Sequence, residues 1–170
     1  MPGERVPAES TARHLRRRSS RAALRVAWVG LSLSWRVYHP ITIGVRVMLI
    51  RDGRVLLVAH TYRDGWFLPG GGIKKNETVA AAARREAQEE AGATLGDLSL
   101  LGVYSNFSES KSDHVVVFTS TDFQVTGEHD AEIACVDWFP LGALPADASP
   151  GTRDRVADYV AGGAPFAGDW

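Results

Sequence analysis

Cysteine is almost absent from this chain of 170 residues: Cys135 stands alone, so no internal disulfide can form and a reducing, cytoplasmic setting is expected. Apolar runs are short as well. None approaches the roughly 18 residues of a membrane-spanning helix. No internal repeat is present, which excludes solenoid and propeller arrays. The histidines, His14, His39, His60, His114 and His129, show no metal-ligand spacing and read as surface or strand residues. No Ser–His or Cys–His arrangement suggests a covalent nucleophile. Acidic residues are missing between Ser10 and Arg51.

That last absence exposes an asymmetry behind the formal net charge of -1. Ten Arg against Glu4 and Glu9 give residues 1 to 51 a charge of +8, and the remaining -9 lies downstream. Within the basic stretch, Leu24, Trp28, Leu31 and Trp35 recur at helical spacing, predicting an amphipathic helix over Arg13 to Tyr38. Three roles are open to it: packing on the domain, contact with a second copy in a homodimer, or peripheral attachment to anionic lipid. An organelle transit peptide has the same Arg-rich, acid-poor composition, whereas the short apolar run and missing cleavage site disfavour a signal peptide. No base-reading module accompanies the basic run, so no specific nucleic-acid binding is expected. His39-Pro40 ends the helix, giving an extension over 1–39, a domain over 40–162 and a tail over 163–170.

The hydrophobic fraction of 45% suffices for one core. Ile41 to Ile50 and Arg54 to His60 alternate around Asp52-Gly53 and predict a hairpin. Asp64-Gly65 turns the chain into a short strand at Trp66 to Leu68. Leu95 to Tyr104 and His114 to Gln124 read as further strands. The polar loop between them offers Phe107 for base stacking and Lys111 for phosphate. Ser149-Pro150 begins a final helix with Val156, Tyr159 and Val160 facing the core.

The chemistry concentrates in Pro69 to Ala93. Pro69-Gly70-Gly71-Gly72 forms a turn through which backbone can approach a ligand closely. A helix capped by Asn76 or Thr78 follows, stopping at Gly92. Ala80, Ala83, Ala87 and Ala91 share a face that can lie close against a sheet. On another face Glu86, Glu89 and Glu90 stand at i, i+3 and i+4. Such a carboxylate cluster is costly unless solvated, paired with Arg84 and Arg85, or holding a cation, and hard divalent ions prefer oxygen ligands.

Gly71, Glu77, Arg85-Glu86, Glu89-Glu90 and Gly92, in one register after a Pro-Gly-Gly turn, resemble the Nudix box of the Nudix hydrolases. The resemblance implies an α/β/α sandwich with a mixed sheet and a metal-dependent pyrophosphohydrolase. Its implied substrate is a nucleoside-diphosphate-X or a nucleoside triphosphate, and its cofactor Mg²⁺ or Mn²⁺. Glu86 and Glu90 would be the principal metal ligands, Glu89 a further ligand or the group that orients water, and the Gly70 carbonyl an extra ligand. Glu77 and Arg85 would form a supporting ion pair. Asn76 stands where many members carry Gly, and Ala87 and Ala93 fill the box's aliphatic positions. Many members add an acidic residue from a later loop, for which Glu128, Asp130 and Glu132 are candidates. Markers of ADP-ribose, dinucleoside polyphosphate and coenzyme A enzymes are missing around the box, which ranks those substrates lower. The competing reading is a non-catalytic nucleotide-binding or sensor module on the same fold.

Overall fold

The structure, a computed structural model, describes residues 41–107 and 112–170. The basic helix predicted over 13–38 and Lys111 lie outside the described residues. Asp52 and Gly53, with φ of 51° and 69°, make the tight turn between β1 (Ile41–Arg51) and β2 (Arg54–His60). These strands pair only beside that turn, at Ile50 with Val55 and Arg51 with Arg54. Beyond it they part, and the gap between them is where the glycine turn enters. Val47 and Val45 donate their N–H groups to the carbonyls of Pro69 and Gly71, each at 2.9 Å, and Ile73 donates to Ile43 at 3.3 Å. The turn is thus hung along β1 as an irregular strand.

On its other edge β1 runs parallel to β5 (Ser112–Ser120), in register from Ile41 opposite Ser112 to Leu49 opposite Ser120. β5 pairs antiparallel with β4 (Ser99–Asn106), and β2 with β7 (Ile133–Pro140). A last strand, β8 (Phe166–Asp169), adds parallel to β4, completing a mixed six-stranded sheet of order β7-β2-β1-β5-β4-β8. The Leu95 to Tyr104 and His114 to Gln124 predictions each divide in two. Their outer ends leave the sheet where Gly96 donates to the Asp122 carbonyl at 2.8 Å, and form a separate ladder of β3 (Ala93–Leu95) with β6 (Phe123–Val125).

Strand alternation distributes the core to both faces. Val45, Val47 and Leu49 of β1 and Leu56 and Val58 of β2 pack with α1 (Val79–Ala91). Met48, Ile50, Val55 and Leu57 face the opposite side with Val156 of α2 (Pro150–Ala161), giving helix, sheet and helix in three layers. α1 buries Ala82, Ala83, Ala87 and Ala91, so Ala82 takes the place predicted for Ala80. α2 is capped by Ser149, whose side chain accepts from the Thr152 N–H, with Pro150 following. Val156 is buried as predicted, but Val160 is 64% exposed because the buried face of α2 turns towards Gly151, Thr152 and Arg155. The stretch 163–170, read as a tail, carries β8, clamped by Arg155 Nη1 donating to the Asp169 carbonyl at 3.0 Å. Among the described residues no helix is long and apolar enough to cross a membrane.

Candidate active site

α1 begins where Thr78 Oγ1 accepts the Ala81 N–H at 3.1 Å and ends at Gly92 in the left-handed region, with φ of 60°. Ahead of the cap, Asn76 also has a left-handed φ of 65°, a conformation that Asn tolerates better than other residues with a side chain. Asn can therefore stand at a position where glycine would be the easier occupant.

The glycine turn meets the acidic face of α1 edge to edge. Gly70 donates its N–H to Glu90 Oε2 at 2.8 Å. Its φ is 146°, and a Cβ there would lie 2.1 Å from the Val45 carbonyl oxygen, so no side chain fits. A Cβ on Gly71 would lie 2.7 Å from Glu86 Oε1, which means that backbone and carboxylate touch only because that side chain is missing. Arg85 ties the cluster together. It holds Glu77 bidentately, Nε to Oε1 at 2.8 Å and Nη2 to Oε2 at 2.9 Å, while Nη1 reaches Glu86 Oε1 at 2.6 Å and Glu89 Oε2 at 2.9 Å. Its hydrogen bond holds Glu77 at a pKa of about 2. Lys74 Nζ approaches Glu89 Oε1 at 3.6 Å.

Glu90 differs from its neighbours. Burial pushes its carboxyl up to about 7 against the opposing pull of Arg46 and the Gly70 N–H, with Glu86 and Glu132 adding to the rise. Its other oxygen lies 3.9 Å from His60 Nδ1. Burial, with Arg46 and Arg63 nearby, lowers His60 to about 4, so the imidazole is neutral at pH 7 and the contact is not an ion pair. Among the described residues Nδ1 has no hydrogen-bond partner. The ring is flanked by Tyr62 and Phe67, at centroid distances of 5.1 and 5.5 Å. Arg46 donates to the carbonyls of Gly70 and, at 3.2 Å, Leu68, placing a cation behind the turn.

The loop before β7 docks on the end of α1. Asp130 donates its N–H to the Glu89 carbonyl at 2.8 Å, and Thr126 to that of Gly92 at 2.9 Å. Glu128 lies with its backbone against Gly92. Glu132 is anchored through its carbonyl, which accepts from Thr61 at 2.8 Å, and its charge adds to the rise in pKa that burial causes at both Tyr62 and Glu90.

Gly70 and Gly71 therefore meet Glu90 and Glu86, Arg85 links Glu86 with Glu89, and the charge of Glu132 reaches Glu90. Among the described residues no three His, Cys, Asp or Glu side chains converge on a metal position, because Arg85 Nη1 lies between Glu86 and Glu89. The donor set still suits a hard divalent cation. It is all oxygen, and Glu90 is a buried carboxylate with a neutral imidazole 3.9 Å away. Phe107, offered for base stacking, is 68% exposed. Sequence reasoning missed Arg46, Tyr62 and, above all, His60. The alternation Leu56, Val58, His60 along β2 was the available signal, since it directs the histidine to the face covered by α1.

A NUDIX domain family model matches residues 40–159. The chain is 37% identical over 94 residues to diphosphoinositol polyphosphate phosphohydrolase 2 of Rattus norvegicus, covering 54% of this chain and 52% of that one. It is 33% identical over 119 residues to an ADP-ribose pyrophosphatase of Methanocaldococcus jannaschii, covering 65% and 69%. The chain spans about half the length of the diphosphoinositol polyphosphate phosphohydrolases it matches. Among solved structures, a MutT NUDIX hydrolase from Burkholderia pseudomallei superposes with a TM-score of 0.64 at 26% identity, over 69% of this chain and 97% of that one. A NUDIX hydrolase from Nitrosomonas europaea gives 0.63 at 25% identity, over 76% and 78%. With the box, the sandwich and a family model spanning most of its length in agreement, the chain belongs to the Nudix domain family.

Proposed function

We propose that the chain is a divalent-metal-dependent pyrophosphohydrolase that cleaves the diphosphate linkage of a nucleoside-diphosphate-X or a nucleoside triphosphate by attack of water. The observation that carries this reading is the meeting of the Gly70–Gly71 backbone with Glu86 and Glu90 at one end of the box helix. A solvated acidic face would need neither the Gly70 N–H bond nor a glycine cut to fit a carboxylate. The relatives named for diphosphoinositol polyphosphates and for ADP-ribose share a phosphoanhydride in the substrate, which supports the reaction class.

Mg²⁺ or Mn²⁺ would be held by Glu86, Glu89 and Glu90, with the Gly70 carbonyl as a further oxygen ligand. When bound it supplies charge neutralisation at the diphosphate and a lower pKa for water. The remaining work falls to the chain's own groups. Gly70 fixes the rotamer of Glu90 through its N–H, and Arg46 fixes the turn by binding two of its carbonyls. Arg85 neutralises Glu86 and Glu89 while its pair with Glu77 fastens the loop before α1 to the helix. Glu89, with its side chain 37% exposed, and Glu132, whose charge reaches Glu90, would orient water and take its proton. The exposed, lone Cys135 suits a cytoplasmic setting.

Release of phosphate or nucleotide should be measured over a panel of nucleoside diphosphate and triphosphate derivatives, with Mg²⁺, with Mn²⁺ and with chelator. Cleavage that chelator stops is the expected result. Silence across the panel, from protein that still binds nucleotide, would instead establish a sensor module.

A further inference from the structure

α1 packs over β1 and β2, while β5, β4 and β8 carry the sheet onward beyond β1. Register places the side chains of that outer part. Val45 stands beside Val116, Val116 beside Val103 and Val103 beside Ala167, so this row leaves the core on the same face that α1 covers further in. Ile41 and Ile43 precede Val45 on that face of β1, and Leu100 and Phe118 form the next cross-strand pair. Val45 is 1% exposed, but Leu100 and Val103 are each 42%, Ile43 is 52% and Ile41 is 77%. Ser105 and His114, polar residues on the same face, satisfy each other at 3.2 Å.

The opposite face of these strands is filled, with Leu101, Tyr104, Val115 and Val117 buried beside Val156 of α2. β4 and β5 are nonetheless apolar on both sides, reading Leu100-Leu101 and Val115-Val116-Val117-Phe118. Continuous apolar runs of this kind belong to strands covered on both faces. A contiguous apolar surface left open marks a place where something docks.

We infer that the N-terminal extension of the same chain docks on this face, with the stripe Leu24, Trp28, Leu31 and Trp35 laid against Ile43, Val103 and Leu100. The described chain starts at Ile41, on the face itself, so the extension enters at its edge. Residues 36–40 reach about 16 Å when extended, enough to join the stripe to β1. A helix over 24–35 would be about 18 Å long, against about 14 Å across the four strands from β1 to β8. Charge favours the same occupant. Eight Arg against Glu4 and Glu9 give residues 1–40 a charge of +6, opposite -7 on residues 41–170. Tethering also gives the extension an effective concentration in the millimolar range, an advantage that a second copy lacks. No group of the hydrolytic centre takes part, so this docking stands or falls independently of turnover.

The test is isotope-filtered NMR of the full chain with labelled Ile and Val methyls, run alone and as an equal mixture of labelled and unlabelled protein, with sedimentation giving the oligomeric state. A monomer is expected, with contacts between the Trp28 or Trp35 indole protons and the Ile43 and Val103 methyls inside one chain and none between chains. Val103→Lys should abolish those contacts and lower Tm by about 3 °C, as should Trp28→Ala, and the two together should cost less than their sum. Should Val103→Lys unfold, Val103→Thr carries the same readout. Contacts seen only between chains would make the face a dimer interface and overturn the inference. Indoles that touch neither methyl in a monomer would overturn it as well, and Trp28-dependent binding to phosphatidylserine vesicles by that monomer would assign the stripe to lipid instead.

Discussion

Replacing Glu90 with Gln should remove hydrolysis and, in the metal-free protein at pH 8, raise stability. The Glu90 side chain is 12% exposed, and its pKa moves from 4.5 to about 7, chiefly through burial. At about 1.4 kcal/mol per pH unit, the fold disfavours the ionised form by roughly 3 kcal/mol. The sign follows from proton counting. Between about 4.5 and about 7 the folded protein holds a proton that the unfolded chain has released, so stability falls as pH rises through that window and stays low above it. Gln keeps an acceptor for the Gly70 N–H, carries no charge, and sets an amide NH₂ near the unpartnered His60 Nδ1. The variant should therefore lose this pH slope and gain about 2–3 kcal/mol at pH 8, or about 5–10 °C in Tm for a chain of this size. Thermal unfolding in chelator at pH 5 and pH 8 reads both quantities. Adding Mg²⁺ should reverse the order, stabilising the native carboxylate more than the amide. A variant melting no higher than the parent at pH 8, with the same slope between the two pH values, would refute the claim that this buried charge strains the metal-free site.

Two further outcomes follow from the glycine turn and the helix entrance. Gly71→Ala should cut kcat/KM by about two orders of magnitude with the fold intact, because the new methyl displaces the Glu86 carboxylate by van der Waals overlap at 2.7 Å; near-parental turnover with an unmoved metal affinity would contradict it. Asn76→Gly should stabilise by about 0.5 kcal/mol in urea unfolding, since relief of a left-handed φ of 65° outweighs the added chain entropy; a loss of stability would show that the Asn side chain contributes something beyond its tolerance of that conformation.

The box helix was legible because its determinants are local: a Thr78 cap, a Gly92 stop and three glutamates in one turn. The same holds for the Asp52-Gly53 turn and the Ser149-Pro150 start of α2. What escaped is set by distant pairing. Nothing near Phe166 to Asp169 has a strand period, and β8 exists because Arg155 and the β4 edge hold it. Ala82 replaces Ala80 because the approach angle of α1 to the sheet, not its own spacing, selects the buried stripe. His60 could be read from its alternation with Leu56 and Val58, but its approach to Glu90, at 3.9 Å, depends on where α1 docks, which no short window of sequence contains. That the charge of Glu132 reaches Glu90 follows from where the docked loop ends, again a tertiary fact.

The bonds from Thr126 and Asp130 to the last turn of α1 make the acidic loop and the box helix one mechanical body. A Cβ on Gly92 would lie 2.3 Å from the Glu128 carbonyl oxygen, so the two surfaces are in contact with no layer between them. The loop cannot swing away from the site as a lid does without giving up the partners of two carbonyls at the helix end that carries Glu89 and Glu90. The amide protons of Thr126 and Asp130 should therefore exchange with solvent as slowly as those of the helix they fasten.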